Sequence, residues 1–302
     1  RTSQSSKHMN TLRKIICLSA LIALTCFSSA DVKAWGQLGH ATVGQIAQDH
    51  LTPKARKALK KYLGYSLAFY ASDADAYRSV WTLDLGFVPT NPEASRVSFL
   101  KDFDFTTPLN ISPWSHSVTV DSNFKCFPTD NLDGAYINNV AYYVTNLAKE
   151  LHENAENMDP YERYKALVLI IHFIGDMHCP MHIVYLPDNV VKGHITITYK
   201  GKETNLHNYW DNKMFESYYP KSFRDMAYLA DNASRKEFKE ITKGDVFDWA
   251  GRTAEQCWPL HNVWKDGDTI HNTYGLEIRE IALNQLRDAG YRLAAVMNGI
   301  FK

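Results

Sequence analysis

The chain has 302 residues, enough for one large domain or two average ones, and 45% of them are hydrophobic and 22% charged. Basic and acidic residues number 33 each, so the neutral chain lacks the strongly basic surface typical of a duplex-binding protein. This composition also excludes bulk disorder, collagen and low-complexity fibres. The 12 histidines are unusually many, and five cysteines are too few for a disulfide scaffold.

The N-terminal segment has the pattern of a secretory signal. Residues 1–8 are interpreted as upstream or vector-derived sequence and residues 9–34 as a signal peptide. Two basic residues there precede an apolar run at 15–27 that is too short to span a bilayer. Cleavage is expected after Ala34, and the alternative cleavage site follows Ala30.

The remaining residues, 35–302, contain no repeat, no flexible linker and no further apolar stretch of membrane-spanning length, so we expect one soluble domain, secreted or periplasmic. In chain order, the predicted elements are a helix that opens at Pro53, a loop region over 84–131, helices over 132–154 and 161–177, a strand over 194–200, and one or two helices over 268–301. The fold class is therefore all-α: a single mainly helical domain with a minor β-hairpin.

The stretch HFIGDMHCPMH, residues 172–182, combines metal-binding residue types at helical spacing. His172 and Asp176 are four residues apart, so they project from the same face of a helix. Pro180 cannot continue a regular helix, so the chain should bend before it. His182 would then point back toward the same site.

The stretch NLHNYWD, residues 205–211, repeats this arrangement, with His207 and Asp211 four residues apart. Imidazole and carboxylate are typical zinc ligands, and this spacing brings two of them to one ion. Buried His and Asp side chains are costly unless they are paired or bind a metal. A pair of buried His–Asp hydrogen bonds is the alternative interpretation.

Other stretches supply further candidate ligands. His40 follows Trp35 by five residues, and cleavage before Trp35 would free an α-amino nitrogen that can bind a metal near neutral pH. The remaining candidate ligands are Asp73 and Asp75 in ASDADAYR, a stretch that also supplies Arg78, and His116 in SPWSHSVTVD.

Taken together, these motifs resemble those of the zinc-dependent single-strand nucleases of fungi, plants and bacteria, the family that includes nuclease P-one, nuclease S-one and mung bean nuclease. The matching stretches occur in the family's order over nearly all of 35–302. They are WGQLGHATVGQIAQDHL, ASDADAYR, SPWSHSVTVD, HFIGDMHCPMH, NLHNYWD and AGYRLAAVMNGIF. The resemblance implies a mainly helical domain with three zinc ions at the bottom of a cleft.

The resemblance also implies three sets of zinc ligands. One zinc is expected to be held by Asp75, His116, His172 and Asp176, a second by His182, His207 and Asp211, and a third by the amino nitrogen and carbonyl oxygen of Trp35 with His40 and Asp176. Asp176 would then bridge two ions. Arg78 matches the family arginine that faces the phosphate, and Asp75 can also orient the attacking water.

The function implied is that of a secreted endonuclease that hydrolyses single-stranded DNA and RNA to 5′-phosphate products and also acts on 3′-nucleotides. No protein partner is implied. A zinc-dependent phospholipase C is the first alternative, but it usually carries Glu where Asp211 stands. A non-catalytic zinc-binding protein is the second alternative, and Arg78 argues against it.

The sequence departs from the family pattern at several positions. Asp73 stands where the family usually has Trp, so it competes with Asp75 as a ligand. Ser117 replaces an aromatic residue, which leaves the base preference open. The usual Gln-Pro pair is replaced within His178-Cys179-Pro180, where His178 is interpreted either as an added ligand or as a histidine at the rim of the cleft.

The cysteine pattern also follows from the resemblance. The family carries a long-range disulfide between the loop after the His116 motif and a late helix. Cys126 and Cys257 match its two positions. We therefore expect these two residues to be bridged and Cys179 to be free.

Overall fold

The computed structural model describes residues 35–71, 116–137, 139–186, 195–215 and 222–302. The described helices are α1 (Gln37–Asp49), α2 (Pro53–Leu63), α3 (Leu67–Tyr70), α4 (Val140–Asn154), α5 (Pro160–Asp176), α6 (Leu206–Asn208), α7 (Phe223–Ala230), α8 (Arg235–Ile241), α9 (Val246–Cys257), α10 (Tyr274–Glu277) and α11 (Arg279–Ile300). Short 3-10 segments cover Pro180–His182 and Trp258–Leu260, and a π-helical segment covers Tyr209–Lys213. The predicted mainly helical fold class is confirmed.

Helix α5 lies at the centre of the fold. It begins after Asp159, whose side chain accepts hydrogen bonds from the backbone of Tyr161 and Glu162, and Pro160 occupies its first turn. Every side chain from Ala166 to Asp176 is buried. Such a helix must be covered on all sides, and α1, α2, α4 and α11 pack against it.

The first and last helices form the second major contact. Helix α11 packs along α1, which also contacts α3 and α7. Helix α1 also packs on α5, so these contacts place the start of the described chain near the end of α5. In the described ranges, no helix combines the length and the apolar character that a bilayer crossing requires.

The strands are short and form three small sheets. The strands are β1 (Val118–Val120), β2 (Asn131–Leu132), β3 (Ala135–Tyr136), β4 (Ile183–Tyr185), β5 (Thr196–Tyr199), β6 (Lys202–Asn205) and β7 (Thr269–Ile270). Strands β1 and β4 pair in parallel, β2 and β3 pair antiparallel, and β5 lies between β6 and β7. The predicted hairpin is β5–β6, which turns at Lys200 and Gly201.

Three predicted boundaries are wrong in the described part of the chain. Residues 118–120 form β1 within the predicted loop, because a buried Val-Thr-Val run pairs with β4. Residues 131–136 form a β2–β3 hairpin where a helix was expected, since Asp133 and Gly134 both adopt positive φ, at 52° and 85°. Residues 269–270 form β7 beside β5 rather than the start of the last helix.

Candidate metal centre

The first cluster of the site gathers imidazole nitrogens around the carboxylate of Asp176. Its Oδ2 atom lies 2.8 Å from Nδ1 of His116 and 3.2 Å from Nε2 of His172. Its Oδ1 atom lies 3.2 Å from Nε2 of His40. Both oxygens of one carboxylate therefore face candidate metal ligands, which is the arrangement a bridging carboxylate requires.

Three segments position this cluster. His172 and Asp176 occupy the last turns of α5 at the predicted four-residue spacing. His40 lies in α1, which packs on α5, and its ring stacks on that of His172 with centroids 4.1 Å apart. His116 lies two residues before β1. Gly175 leaves the space for His40, because a Cβ atom there would lie 2.6 Å from Nδ1 of His40.

Backbone carbonyls fix the orientation of the histidine rings. Nδ1 of His172 lies 2.8 Å from the carbonyl oxygen of Ala71. A carbonyl can only accept, so Nδ1 carries the proton and Nε2 of the neutral ring presents a lone pair. That lone pair faces Oδ2 of Asp176 and lies 3.2 Å from Nδ1 of His116. A cation placed among these atoms satisfies all of them.

The second cluster lies on the other side of the turn that follows α5. His182 donates from Nδ1 to the carbonyl oxygen of His116, so its Nε2 presents a lone pair. That Nε2 atom lies 2.6 Å from Nε2 of His207, which lies 3.3 Å from Oδ2 of Asp211. Sγ of Cys179 lies 3.9 Å from the other carboxylate oxygen, Oδ1 of Asp211. His116 thus contacts both clusters, through its ring and through its carbonyl.

The start of the described chain lies beside the second cluster. The ring of Trp35 is fully buried and packs against Trp210 and Phe215, with centroids 6.3 Å and 5.9 Å away. The backbone N–H of Gly36 donates to the carbonyl oxygen of Asp211 at 3.0 Å. Asp211 lies in the π-helical segment, a geometry that often occurs at functional sites.

The chemistry of these donors fits zinc. Imidazole nitrogens and carboxylate oxygens are its usual ligands besides thiolate. Oδ1 of Asp176 is buried and accepts no hydrogen bond within the described ranges, although Nε2 of His40 is 3.2 Å away. Burial raises the pKa of the Asp176 carboxyl, but His172 and His116 outweigh burial and hold this pKa well below its usual value. The site thus favours the ionised form of the Asp176 carboxylate.

Several predicted residues lie outside the described part of the chain. These are Asp73, Asp75 and Arg78. The first described range ends at Ala71, whose carbonyl oxygen contacts Nδ1 of His172. Ser117 is half-buried between His116 and β1.

His178 is neither of the things the sequence predicted. It is fully buried rather than at a cleft rim. Its Nδ1 atom lies 2.7 Å from the carbonyl oxygen of Ile174, and its Nε2 atom accepts from Nη1 of Arg292 at 2.7 Å. Both ring nitrogens are therefore engaged by the protein and unavailable to a metal. Burial, reinforced by Arg292, holds the pKa of His178 well below its usual value.

Arg292 is a residue that sequence reasoning missed. It belongs to the stretch AGYRLAAVMNGIF, which carries the family resemblance but had no assigned role. A basic residue in this apolar stretch was the available signal, because such a charge needs buried partners.

The cysteines differ from expectation. Cys126, Cys179 and Cys257 are all buried free thiols in this structure, so the predicted bridge between Cys126 and Cys257 is not formed in it. Sγ of Cys126 instead lies 3.6 Å from Oδ1 of Asn139 and 3.8 Å from the carbonyl oxygen of Phe127.

Comparison with known proteins identifies the family of this chain. The model of the S1/P1 Nuclease family matches residues 35–302. Endonuclease 2 of Arabidopsis thaliana is 26% identical over 292 residues, which is 91% of this chain and 93% of the relative. Nuclease P1 of Penicillium citrinum and Nuclease S1 of Aspergillus oryzae are each 31% identical over 188 residues, covering 60% of this chain and 58% and 55% of their own lengths. The chain therefore belongs to the S1/P1 nuclease family.

Proposed function

We propose that this nuclease is a zinc-dependent endonuclease that hydrolyses phosphodiester bonds of single-stranded DNA and RNA, leaves 5′-phosphate ends, and also acts on 3′-nucleotides. The observation that carries the proposal is the Asp176 carboxylate, with imidazole nitrogens within 3.2 Å of both oxygens. The names of the relatives, endonucleases and nucleases, support the reaction class.

The proposed metal ligands form three sets around the two clusters. They are Asp75, His116, His172 and Asp176 for the first ion, His182, His207 and Asp211 for the second, and Trp35, His40 and Asp176 for the third. When bound, zinc supplies Lewis-acid activation of water and neutralises negative phosphate oxygens. The ligands from α1, α5 and α6 support this assignment, because the fold brings them together from distant parts of the chain.

The protein's own groups are proposed to orient the reactants. A phosphodiester resists attack because its oxygens are negative and its leaving alkoxide is poor. Arg78 would donate two hydrogen bonds to the phosphate in a fixed fork, and Asp75 would orient the attacking water. The Asp176 side chain is buried, so the proposed site is deep. Such a site would admit a flexible strand with splayed bases and reject a stacked duplex.

Secretion belongs to the same proposal. The Trp35 amine can bind a metal only if nothing precedes it, so signal cleavage is proposed to fall after Ala34. N-terminal sequencing of the exported protein should begin at Trp35. A fully active protein that begins at Asp31 would remove Trp35 from the ligand set.

A substrate comparison tests the function. The zinc-loaded protein should cleave single-stranded DNA and RNA much faster than duplex DNA and should leave phosphatidylcholine intact. Hydrolysis of phosphatidylcholine without cleavage of single strands would contradict the proposal in favour of a phospholipase C. No hydrolysis of either substrate by a zinc-loaded folded protein would leave only a metal-binding function.

Arg78 gives the matching mutational test. Arg78→Ala should lower turnover on the order of 10²–10³-fold, as removal of a preorganised donor does, with zinc content unchanged. Arg78→Lys should restore part of the turnover, since an ammonium lacks the bidentate fork. Loss of zinc together with normal turnover in the remaining folded fraction would make Arg78 structural.

A further inference from the structure

Arg292 places a guanidinium in the interior of the protein, and no carboxylate in the described ranges is its hydrogen-bond partner. It lies midway along α11 and is 1% exposed. Its Nε atom donates to the carbonyl oxygen of Ile241 at 3.1 Å, and its Nη1 atom donates to Oγ1 of Thr253 at 3.2 Å and to Nε2 of His178 at 2.7 Å. All three acceptors are neutral.

Such an arrangement is not explained by stability. A buried charge carries a large desolvation cost, and well-packed apolar residues often stabilise a core as well or better. Asp288, one turn earlier on α11, forms its ion pair with Arg287 at 2.8 Å and acts on Arg292 only as a nearby charge that raises the pKa of the guanidinium. Burial also lowers the pKa of Arg292 to about 10, although the group remains protonated at neutral pH. A cation held at this cost has a role in ordering its neighbours.

The shortest of these contacts joins Arg292 to His178. His178 lies in the turn that connects the two metal-ligand clusters. His178 lies two residues after Asp176 and four before His182. Its Nδ1 atom donates to the carbonyl oxygen of Ile174, which leaves Nε2 as the acceptor for Arg292. The ring is therefore clamped between α5 and α11.

The backbone of this turn transmits the constraint in both directions. The N–H of His178 donates to the carbonyl oxygen of Gly175 at 3.0 Å, and the N–H of Cys179 donates to the backbone carbonyl oxygen of Asp176 at 2.9 Å. The N–H of His182 donates to the carbonyl oxygen of Cys179 at 2.9 Å. A shift of His178 would thus move both the end of α5 and the 3-10 segment that carries His182.

We propose that Arg292 is a positioning residue: through His178 it sets the turn between Asp176 and His182 and thereby the spacing of the two metal-ligand clusters. The planar guanidinium suits this role, because it presents several donors in a fixed geometry to acceptors from α8, α9 and the turn. The inference rests on the metal binding of the proposed function, so its test measures zinc retention rather than nuclease activity.

The test compares the rate at which zinc-loaded variants lose metal to a chelator, alongside their melting temperatures. Arg292→Met, which keeps the volume and removes the donors, should lose zinc about 10-fold faster or more, the range found when an outer-shell partner of a ligand is removed. His178→Leu should do the same. His178→Gln should retain zinc nearly as the wild type does, because its amide oxygen can still accept from Arg292.

Thr253→Val is the matched control. It removes an acceptor of the same guanidinium but leaves the contact between Arg292 and His178 in place, so it should lower the melting temperature without changing zinc loss. The double variant Arg292→Met/His178→Leu should lose zinc no faster than the worse single variant, because both act through one contact. If Arg292→Met fails to fold, the comparison of His178→Leu with His178→Gln decides the same question.

Two results would overturn the inference in distinguishable ways. Wild-type zinc retention in folded Arg292→Met or His178→Leu would show that the network only stabilises the core. A wild-type protein that binds no zinc would overturn the proposed function and this inference with it.

Discussion

Gly175 is the residue on which the position of His40 depends. A Cβ atom at this position would lie 2.6 Å from Nδ1 and 2.9 Å from Cε1 of the buried His40 ring. Gly175→Ala should therefore push His40 away from Asp176, even though alanine favours a helix over glycine by up to about 1 kcal/mol. We expect zinc affinity and turnover to fall at least about tenfold, measured by competition with a chelator and by single-strand cleavage.

The control for this substitution is Gly299→Ala, because Gly299 also lies in a helix but a Cβ atom there meets nothing within 4 Å. Gly299→Ala should raise the unfolding free energy by about 0.4–1 kcal/mol and leave zinc binding unchanged. Equal zinc affinity in Gly175→Ala and the wild type would show that His40 has room to move.

Cys126 makes the stability of the reduced protein depend on alkaline pH. Burial raises the pKa of its thiol from 9.0 to about 12. The folded state keeps this proton longer than the unfolded chain does, so the stabilisation is complete below about pH 9 and is lost as the pH rises toward 12. Above pH 9 the unfolding free energy of the wild type should fall by up to about 1.4 kcal/mol per pH unit through the Cys126 thiol.

Urea unfolding of the wild type and Cys126→Ala between pH 8 and pH 10.5 measures this contribution. The slope of unfolding free energy against pH should be shallower in Cys126→Ala. Parallel slopes would mean that Cys126 does not titrate, which is the result expected if it forms a disulfide with Cys257.

The sequence predicted the contacts that depend on local spacing and not those that depend on distant packing. Four-residue spacing places His172 with Asp176 on one helix face whatever the rest of the fold does. The contact between His178 and Arg292 joins residues 114 positions apart, and no local pattern encodes it. From its neighbours in sequence, His178 was therefore interpreted as an added ligand or a histidine at the cleft rim, whereas its ring contacts Arg292 of α11.

Among the elements, helix starts followed local signals. The expected start of α2 at Pro53 is confirmed, and Thr52 caps it by accepting from the backbone N–H of Ala55 at 3.2 Å. Strand β1 could not be predicted in the same way, because three residues become a strand only when β4, more than sixty residues later, pairs with them. The Asp133-Gly134 turn did carry a local hairpin signal, which the helical periodicity of the following residues obscured.

The cap of α2 can be tested separately from the metal site. Thr52→Ala should lower the unfolding free energy by about 1 kcal/mol, because it removes the side-chain acceptor at the helix start. Ser66→Ala is the control, since Ser66 precedes α3 without making a side-chain cap bond and its buried Oγ has no partner among the described residues. Denaturant unfolding should separate the two variants; equal losses would show that the Thr52 hydroxyl does not cap α2.

For the whole molecule, we expect bound zinc to connect distant segments through the proposed ligands. The proposed ligands in the described chain come from α1, the segment before β1, the end of α5, the 3-10 segment and the α6 region. A metal ion that binds only the folded state stabilises it by mass action. The gain is about 4 kcal/mol when the free ion concentration is roughly 1,000 times its Kd. Removal of zinc should therefore lower the melting temperature substantially.

Calorimetry with and without a chelator measures this effect, and re-addition of zinc should restore the melting temperature. His207→Ala, which removes a ligand of one ion, should show a smaller drop on chelation than the wild type does. A melting temperature that does not respond to chelation would mean that the clusters fold without metal and gain little from it.

The most direct test of the central claim is the zinc content of the purified exported protein and of two variants. The account predicts three zinc ions in the wild type and loss of one ion in His207→Ala. Asp176→Ala should lose more than one ion, because this carboxylate is proposed to bridge two of them, and its cleavage of single-stranded DNA should fall furthest. An Asp176→Ala protein that retains three zinc ions would contradict the bridging role and the metal centre built on it.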